Sequence, residues 1–185
     1  MKFSQTEVRD IIVSTAILAF AFGGINGFPE ALMVVGIAFL SHELLGHKLV
    51  AQRLGAEAEY RAWPTGLLIA LAGSLVGFVF AAPGAVYFSQ TARGGFAWTV
   101  HRFSKKEVGM IGLAGPVVNI AIGIASFLLF SVTSISLLAR LASISFFLAF
   151  FNLLPFGPLD GQKVMQWDRR IWATAIGLSA VGYLF

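Results

Sequence analysis

The chain has no cysteine and few charged residues, and each absence excludes a class of protein. Without cysteine it can form no disulfide and no zinc site built on thiolates. Charged residues make up 12% of the 185 residues, whereas a soluble domain carries about a quarter. Hydrophobic residues make up 57%, and the mean hydropathy is +0.82. These values indicate an integral membrane protein that forms a single domain over residues 1–185.

The positive charge of the chain does not indicate nucleic acid. The net charge is +4, but the thirteen Lys and Arg residues lie at the ends of apolar runs. The positive-inside rule and contacts with lipid headgroups account for basic residues in such places. Because no basic face with interleaved aromatic residues occurs, the expected surroundings are a lipid bilayer and no nucleic acid.

The apolar runs predict an all-α polytopic membrane protein with about five transmembrane helices. The first run, Ile11–Phe22, is short enough for a cleaved signal peptide, but no Ala-x-Ala site follows it, so a retained span is favoured. The second, Ala31–Leu54, has the length that a tilted membrane-crossing helix needs. A capping box precedes the third run. The three later spans are predicted at Val108–Phe130, Ile135–Leu154 and Ile171–Phe185.

The apolar segment Gly66–Ala82 is predicted to enter the membrane and return, as a re-entrant hairpin. Basic residues precede the first span and follow the second, which places the N-terminus and the far end of the second span in the cytoplasm. A full crossing at 66–82 would leave Arg93 and its basic neighbours outside. It would also carry Asp160 to the surface opposite His47.

Two short membrane-associated strands are predicted beside this hairpin. Glu57–Trp63 alternates polar and apolar residues up to a proline, and Ala85–Phe88 follows a Pro-Gly pair. Paired strands near an active site could hold an extended substrate segment by strand addition. An ordinary hairpin at the membrane surface is the alternative.

Ionisable residues interrupt the second span in the sequence His42-Glu43-Leu44-Leu45-Gly46-His47. Such residues are costly inside a membrane, so a cluster of them indicates a functional site. His-Glu followed by His is also the pattern of a helical zinc site in which the Glu acts as general base. Few acidic residues lie near the apolar segments, and Asp160 is the best candidate for a third ligand. A simple Asp-Gly turn is the alternative there.

The two histidines are five residues apart, whereas the usual zinc spacing is four. On a regular helix their side chains would therefore diverge by about 140°. One turn of π-helix would bring His42 and His47 onto one face, and Gly46 would resist that distortion little. In the alternative, Glu43 and His47 face the metal and His42 has another role. The π-helix is favoured.

A second motif adds a resemblance to a known family. Asn152-x-x-Pro155-x-x-x-x-Asp160-Gly161 follows the histidine motif, and Gly115-Pro116-Val117-Val118-Asn119 lies between the two. In this order, over about residues 31–164, the chain resembles the site-2 protease family of intramembrane zinc metalloproteases, reduced to a minimal core. The resemblance implies that His42, His47 and Asp160 bind a Zn²⁺ ion. It also implies that Glu43 activates the zinc-bound water and that Asn152 polarises or holds the scissile carbonyl.

The activity that the resemblance implies is hydrolysis of peptide bonds within or near transmembrane segments of substrate proteins. The enzyme would lie in the cell membrane as a multi-pass protein, with its active site nearer the cytoplasmic side. Because the first motif holds one residue more than usual, the alternative is a catalytically inactive relative that acts as a binding or scaffolding module. Gly115 and Asn119 are expected to pack helices rather than to touch substrate.

Overall fold

The structure is a computed structural model that describes residues 1–89 and 103–184. Arg93, which the re-entrant hairpin prediction places on the cytoplasmic side, therefore lies outside the described residues. The described chain is mostly helical. In chain order its elements are α1 (Gln5–Gly23), α2 (Phe28–Leu40), a π-helix (Ser41–Lys48), α3 (Leu49–Arg53), β1 (Ala58–Ala62), α4 (Pro64–Leu75), β2 (Gly84–Phe88), α5 (Lys105–Thr133), α6 (Ser136–Asn152), α7 (Asp160–Trp167) and α8 (Arg169–Leu184).

Two helices of the described residues are long and apolar enough to cross a membrane. One runs without a break from Phe28 to Arg53 through α2, the π-helix and α3, and the other is α5. They contain nearly all of the second and third predicted spans. Helices α4 and α6 are apolar but shorter. The count of about five crossings therefore stays a prediction.

Helix α5 begins at the capping box that the sequence predicts. The Ser104 hydroxyl accepts a hydrogen bond from the Glu107 N–H at 3.3 Å, and the Glu107 carboxylate accepts one from the Ser104 N–H at 2.8 Å. These bonds satisfy backbone donors that have no partner inside the helix. Pro116 lies inside α5, where its ring removes the donor for the carbonyl four residues earlier and favours a kink.

The two predicted strands form an antiparallel pair, with Ala58 opposite Phe88 and Ala62 opposite Gly84. Between them α4 leads away from the sheet, and residues 76–83 lead back without forming a helix. The ends meet where the Trp63 N–H donates to the Pro83 carbonyl at 2.8 Å. Segment 66–82 therefore leaves and returns to one end of the sheet, and its depth in a membrane stays a prediction.

Helix α1 covers the outer edge of β1 with two carboxylates. The Tyr60 N–H donates to Glu7 at 2.9 Å, and the Ala62 N–H donates to Asp10 at 3.1 Å. The Tyr60 hydroxyl donates to Ser14 at 2.9 Å, and burial raises the pKa of this phenol, which stays neutral. The main hydrophobic core lies beside these contacts, between α1, α2 and α6.

A buried ion pair joins α1 to the last residue of the π-helix. The Lys48 ammonium lies 2.6 Å from both carboxylate oxygens of Glu7 and 2.8 Å from the Lys2 carbonyl oxygen, and it sits over the Phe3 ring. Lys48 is 0% exposed and Glu7 is 1% exposed. Because the Glu7 carboxylate also accepts a hydrogen bond from β1, it connects α1, β1 and the π-helix.

We expect Lys48→Met to lower the free energy of unfolding by about 3–5 kcal/mol, because Glu7 would keep a buried charge without its partner. Lys106→Met, at an exposed position in α5, should change it by no more than about 0.5 kcal/mol. Denaturant unfolding in detergent micelles, followed by circular dichroism, measures both. Equal stability of the two variants would show that the ion pair is dispensable.

Candidate metal centre

The π-helix brings the two histidines of the first motif together. Residues 41–48 form π-helical turns, and His42 Nε2 lies 3.0 Å from His47 Nε2. Both side chains are buried. The predicted π-helix is confirmed, and the extra residue of the motif is absorbed by its longer turn.

Helix α7 adds a carboxylate to this pair. Asp160 Oδ2 lies 3.0 Å from His47 Nε2 and 3.8 Å from His42 Nε2. Asp160 is the first residue of α7 rather than part of a simple Asp-Gly turn. Gly161 permits this placement, since a Cβ there would overlap the Leu153 carbonyl oxygen, to which the Trp172 indole N–H donates at 2.7 Å.

The three donor atoms are spaced as zinc ligands are. Zinc bonds of about 2.0–2.2 Å in tetrahedral geometry place neighbouring donor atoms roughly 3.3 Å apart, and the distances here are 3.0, 3.0 and 3.8 Å. Glu43 also offers a carboxylate oxygen that lies within 4.8 Å of a nitrogen of each histidine. The group His42, Glu43 and His47 is therefore placed to bind a metal ion.

The backbone of α5 orients the His47 ring. His47 Nδ1 lies 2.7 Å from the Ile111 carbonyl oxygen, so Nδ1 carries the proton and donates it. The lone pair of Nε2 then points to His42 and Asp160. Metal-binding histidines usually make such a bond through their second nitrogen.

Asn119 makes the corresponding contact with His42. Its Nδ2 atom lies 3.0 Å from His42 Nδ1, while its Oδ1 atom is buried without a hydrogen-bond partner in the described part of the chain. Half a turn of the amide satisfies both groups, since Oδ1 then accepts the Nδ1–H of His42. This leaves the Nε2 lone pair to face the other donors. Only a packing role was predicted for Asn119 from the sequence; its position in an apolar helix was the available signal.

Two glycines let α5 approach the histidines. A Cβ on Gly46 would lie 2.5 Å from the Gly115 Cα, so the two backbones are in contact. A Cβ on Gly115 would lie 2.6 Å from His42 Nε2 and closer still to His47 Nε2. The space beside the two nitrogens therefore exists because residue 115 has no side chain.

A cavity of about 290 Å³ opens beside this group, lined by Glu43, His47, Asn152, Asp160, Lys163 and the whole of β2, among others. Glu43 Oε2 is buried and has no hydrogen-bond partner among the described residues. Asn152 uses one amide hydrogen on the Leu148 carbonyl at 2.9 Å, which leaves a second one. The negative charge of Asp160 raises the pKa of Lys163, whose Nζ lies 2.9 Å from Asp160 Oδ1.

We expect Gly115→Ala to abolish metal binding, because the added methyl group would occupy the space beside both Nε2 atoms. Gly36→Ala is the matched control, since a Cβ at that helical position meets nothing within 4 Å. Zinc per chain, measured by mass spectrometry on purified protein whose helix content is checked by circular dichroism, should fall only in the first variant. Full zinc content in Gly115→Ala would contradict the assignment.

Comparison with known proteins adds one relative. No family model matches the sequence, and no solved structure matches it. The chain is 38% identical, over 193 aligned residues, to a protein of Methanocaldococcus jannaschii named "Putative zinc metalloprotease MJ0611". The match covers 99% of this chain and 95% of that protein. With a His-Glu-His group placed for a metal ion, the chain belongs to the family of this archaeal zinc metalloprotease.

Proposed function

We propose that the protein is an intramembrane zinc metalloprotease of the site-2 type, which hydrolyses peptide bonds within or near transmembrane segments of substrate proteins. The observation that carries this proposal is the convergence of His42, His47 and Asp160 beside the buried carboxylate of Glu43. The two histidines belong to a helix that is long enough to cross a membrane. His42 lies eleven residues and His47 six residues before its Arg53 end.

In the proposed reaction, His42, His47 and Asp160 would hold the zinc ion. A zinc ion in such a site acts as a Lewis acid, which lowers the pKa of water and stabilises negative charge on a carbonyl oxygen. Glu43 takes a proton from the attacking water and later gives it to the leaving amine. The Oε2 atom of Glu43 has no hydrogen-bond partner among the described residues, which supports this role. The second amide hydrogen of Asn152 can bind the scissile carbonyl.

The outer edge of β2 supports binding of an extended substrate strand. The Trp63 N–H donates to the Pro83 carbonyl, and the Ser89 N–H donates to the Glu57 carbonyl, as in the hydrogen-bonded pairs of an antiparallel ladder. Odd-numbered residues of β2 therefore pair with β1, and the even-numbered ones, Gly84, Val86 and Phe88, direct their backbone groups away from it. All five β2 residues line the cavity. Because successive residues of a strand point to opposite faces, an unbroken run indicates that the edge of β2, rather than one face, borders the cavity. A peptide added there would lie next to Glu43 and His47.

We expect Val86→Pro to reduce cleavage at least tenfold, mainly through a higher KM, because proline removes an N–H that faces the cavity. The same N–H does not bond to β1, so the hairpin should survive. Val86→Ala, which keeps the N–H, is the control. Peptide kinetics in mixed micelles measure both variants, and equal KM values would rule out strand addition at this edge.

The membrane arrangement is part of the proposal. The N-terminus lies in the cytoplasm, segment 66–82 is re-entrant, and the active site lies nearer the cytoplasmic surface of the cell membrane. Substrate helices must unwind before cleavage, because the carbonyls of a helix are otherwise hydrogen-bonded and shielded. Transmembrane proteins with a helix-breaking segment are therefore the proposed substrates.

We expect Glu43→Gln to bind zinc and to lose about 10²–10⁴-fold in kcat, the usual contribution of a general base. Glu30→Gln, at the exposed start of the same helix, is the matched control and should retain activity. Cleavage of a single-span substrate with a glycine-proline break, reconstituted in liposomes, measures both. Unchanged turnover in Glu43→Gln would end the protease proposal. Zinc binding without cleavage by the unaltered protein would favour the inactive binding module.

A further inference from the structure

We propose that Lys163 is a positioning residue of the metal centre, which holds Asp160 so that a single carboxylate oxygen faces the two imidazoles. This inference rests on the proposed function, since it concerns how the zinc site is completed. Lys163 belongs to neither motif of the sequence. It lies one turn after Asp160 on α7 and lines the same cavity as Glu43.

The two oxygens of Asp160 are divided between two partners. Oδ1 lies 2.9 Å from the Lys163 ammonium, and Oδ2 lies 3.0 Å from His47 Nε2. The carboxylate therefore cannot turn both oxygens toward the histidines without breaking a charged hydrogen bond. In a site that is largely buried, such a bond is stronger than at the surface.

Helix α5 fixes the stem of the lysine. A Cβ on Gly112 would lie 3.2 Å from the Lys163 Cβ and 3.3 Å from its Cδ. The aliphatic part of Lys163 thus packs against the backbone of α5 at a glycine, and its side chain is only 30% exposed. Because the stem is packed, the ammonium is held at Asp160 with little further loss of side-chain entropy.

The number of Asp160 oxygens that face the metal position matters for the chemistry. A catalytic zinc site provides three protein ligands and keeps a further position open for water. A carboxylate that bound through both oxygens would occupy that position. By holding Oδ1, Lys163 would keep that position open when zinc is bound, and its charge offsets one of the two carboxylates, Asp160 and Glu43, at the cavity.

The test uses Lys163→Met, which removes the charge at similar length, and Lys163→Arg, which keeps it. Lys106→Met, exposed on α5, is the control. Each variant is titrated with Co²⁺, whose visible absorption weakens as coordination rises above four. We expect Lys163→Met to give a weaker visible band per bound Co²⁺, because the freed Oδ1 can add a ligand atom, and to have a lower kcat. Lys163→Arg should restore the band.

A Co²⁺ spectrum of Lys163→Met that matches the control would overturn the proposal. So would a weakened band that Lys163→Arg does not restore. If Lys163→Met does not fold, Lys163→Gln takes its place with the same expectations. The spectrum separates this inference from the proposed function, because it reports on Asp160 even if the unaltered protein cleaves no substrate.

Discussion

Polar side chains buried in an apolar helix need partners, and this constraint organises the structure around residues 41–48. Three of the four ionisable groups of the π-helix contact neighbouring elements. His42 meets Asn119 of α5, His47 meets α5 and Asp160 of α7, and Lys48 meets Glu7 of α1. The helix that carries the motif is therefore held from three sides by the contacts that its own polar residues require.

The local parts of this arrangement could be predicted from the sequence. Five-residue spacing of His42 and His47 predicts a π-helix, because no regular helix puts both on one face. Residue alternation and flanking Pro-Gly signals predict β1 and β2. The convergence of Asp160 on the histidines could be predicted because few carboxylates lie near apolar segments. The number of crossings remains a prediction, since the described helices other than 28–53 and α5 are short or less apolar.

The other long-range contacts could not be predicted, because they depend on which helices pack together. Asn119 and Lys163 are ordinary residues until α5 is placed against the π-helix and α7. The buried Lys48–Glu7 pair joins residues 41 positions apart, and no local pattern relates them. The start of α7 at Asp160 depends on close packing of Gly161 on Leu153, which a reading of Asp-Gly as a turn signal misses.

The carboxylates of Glu7 and Asp10 that occupy the outer edge of β1 have a consequence for association between molecules. If both edges of a two-stranded sheet were available, further copies could pair with it edge to edge and form a ribbon of unlimited length. Here the outer edge of β1 is already hydrogen-bonded to α1 of the same chain. Association of copies through this sheet can therefore add one strand at β2 and cannot continue into a fibre.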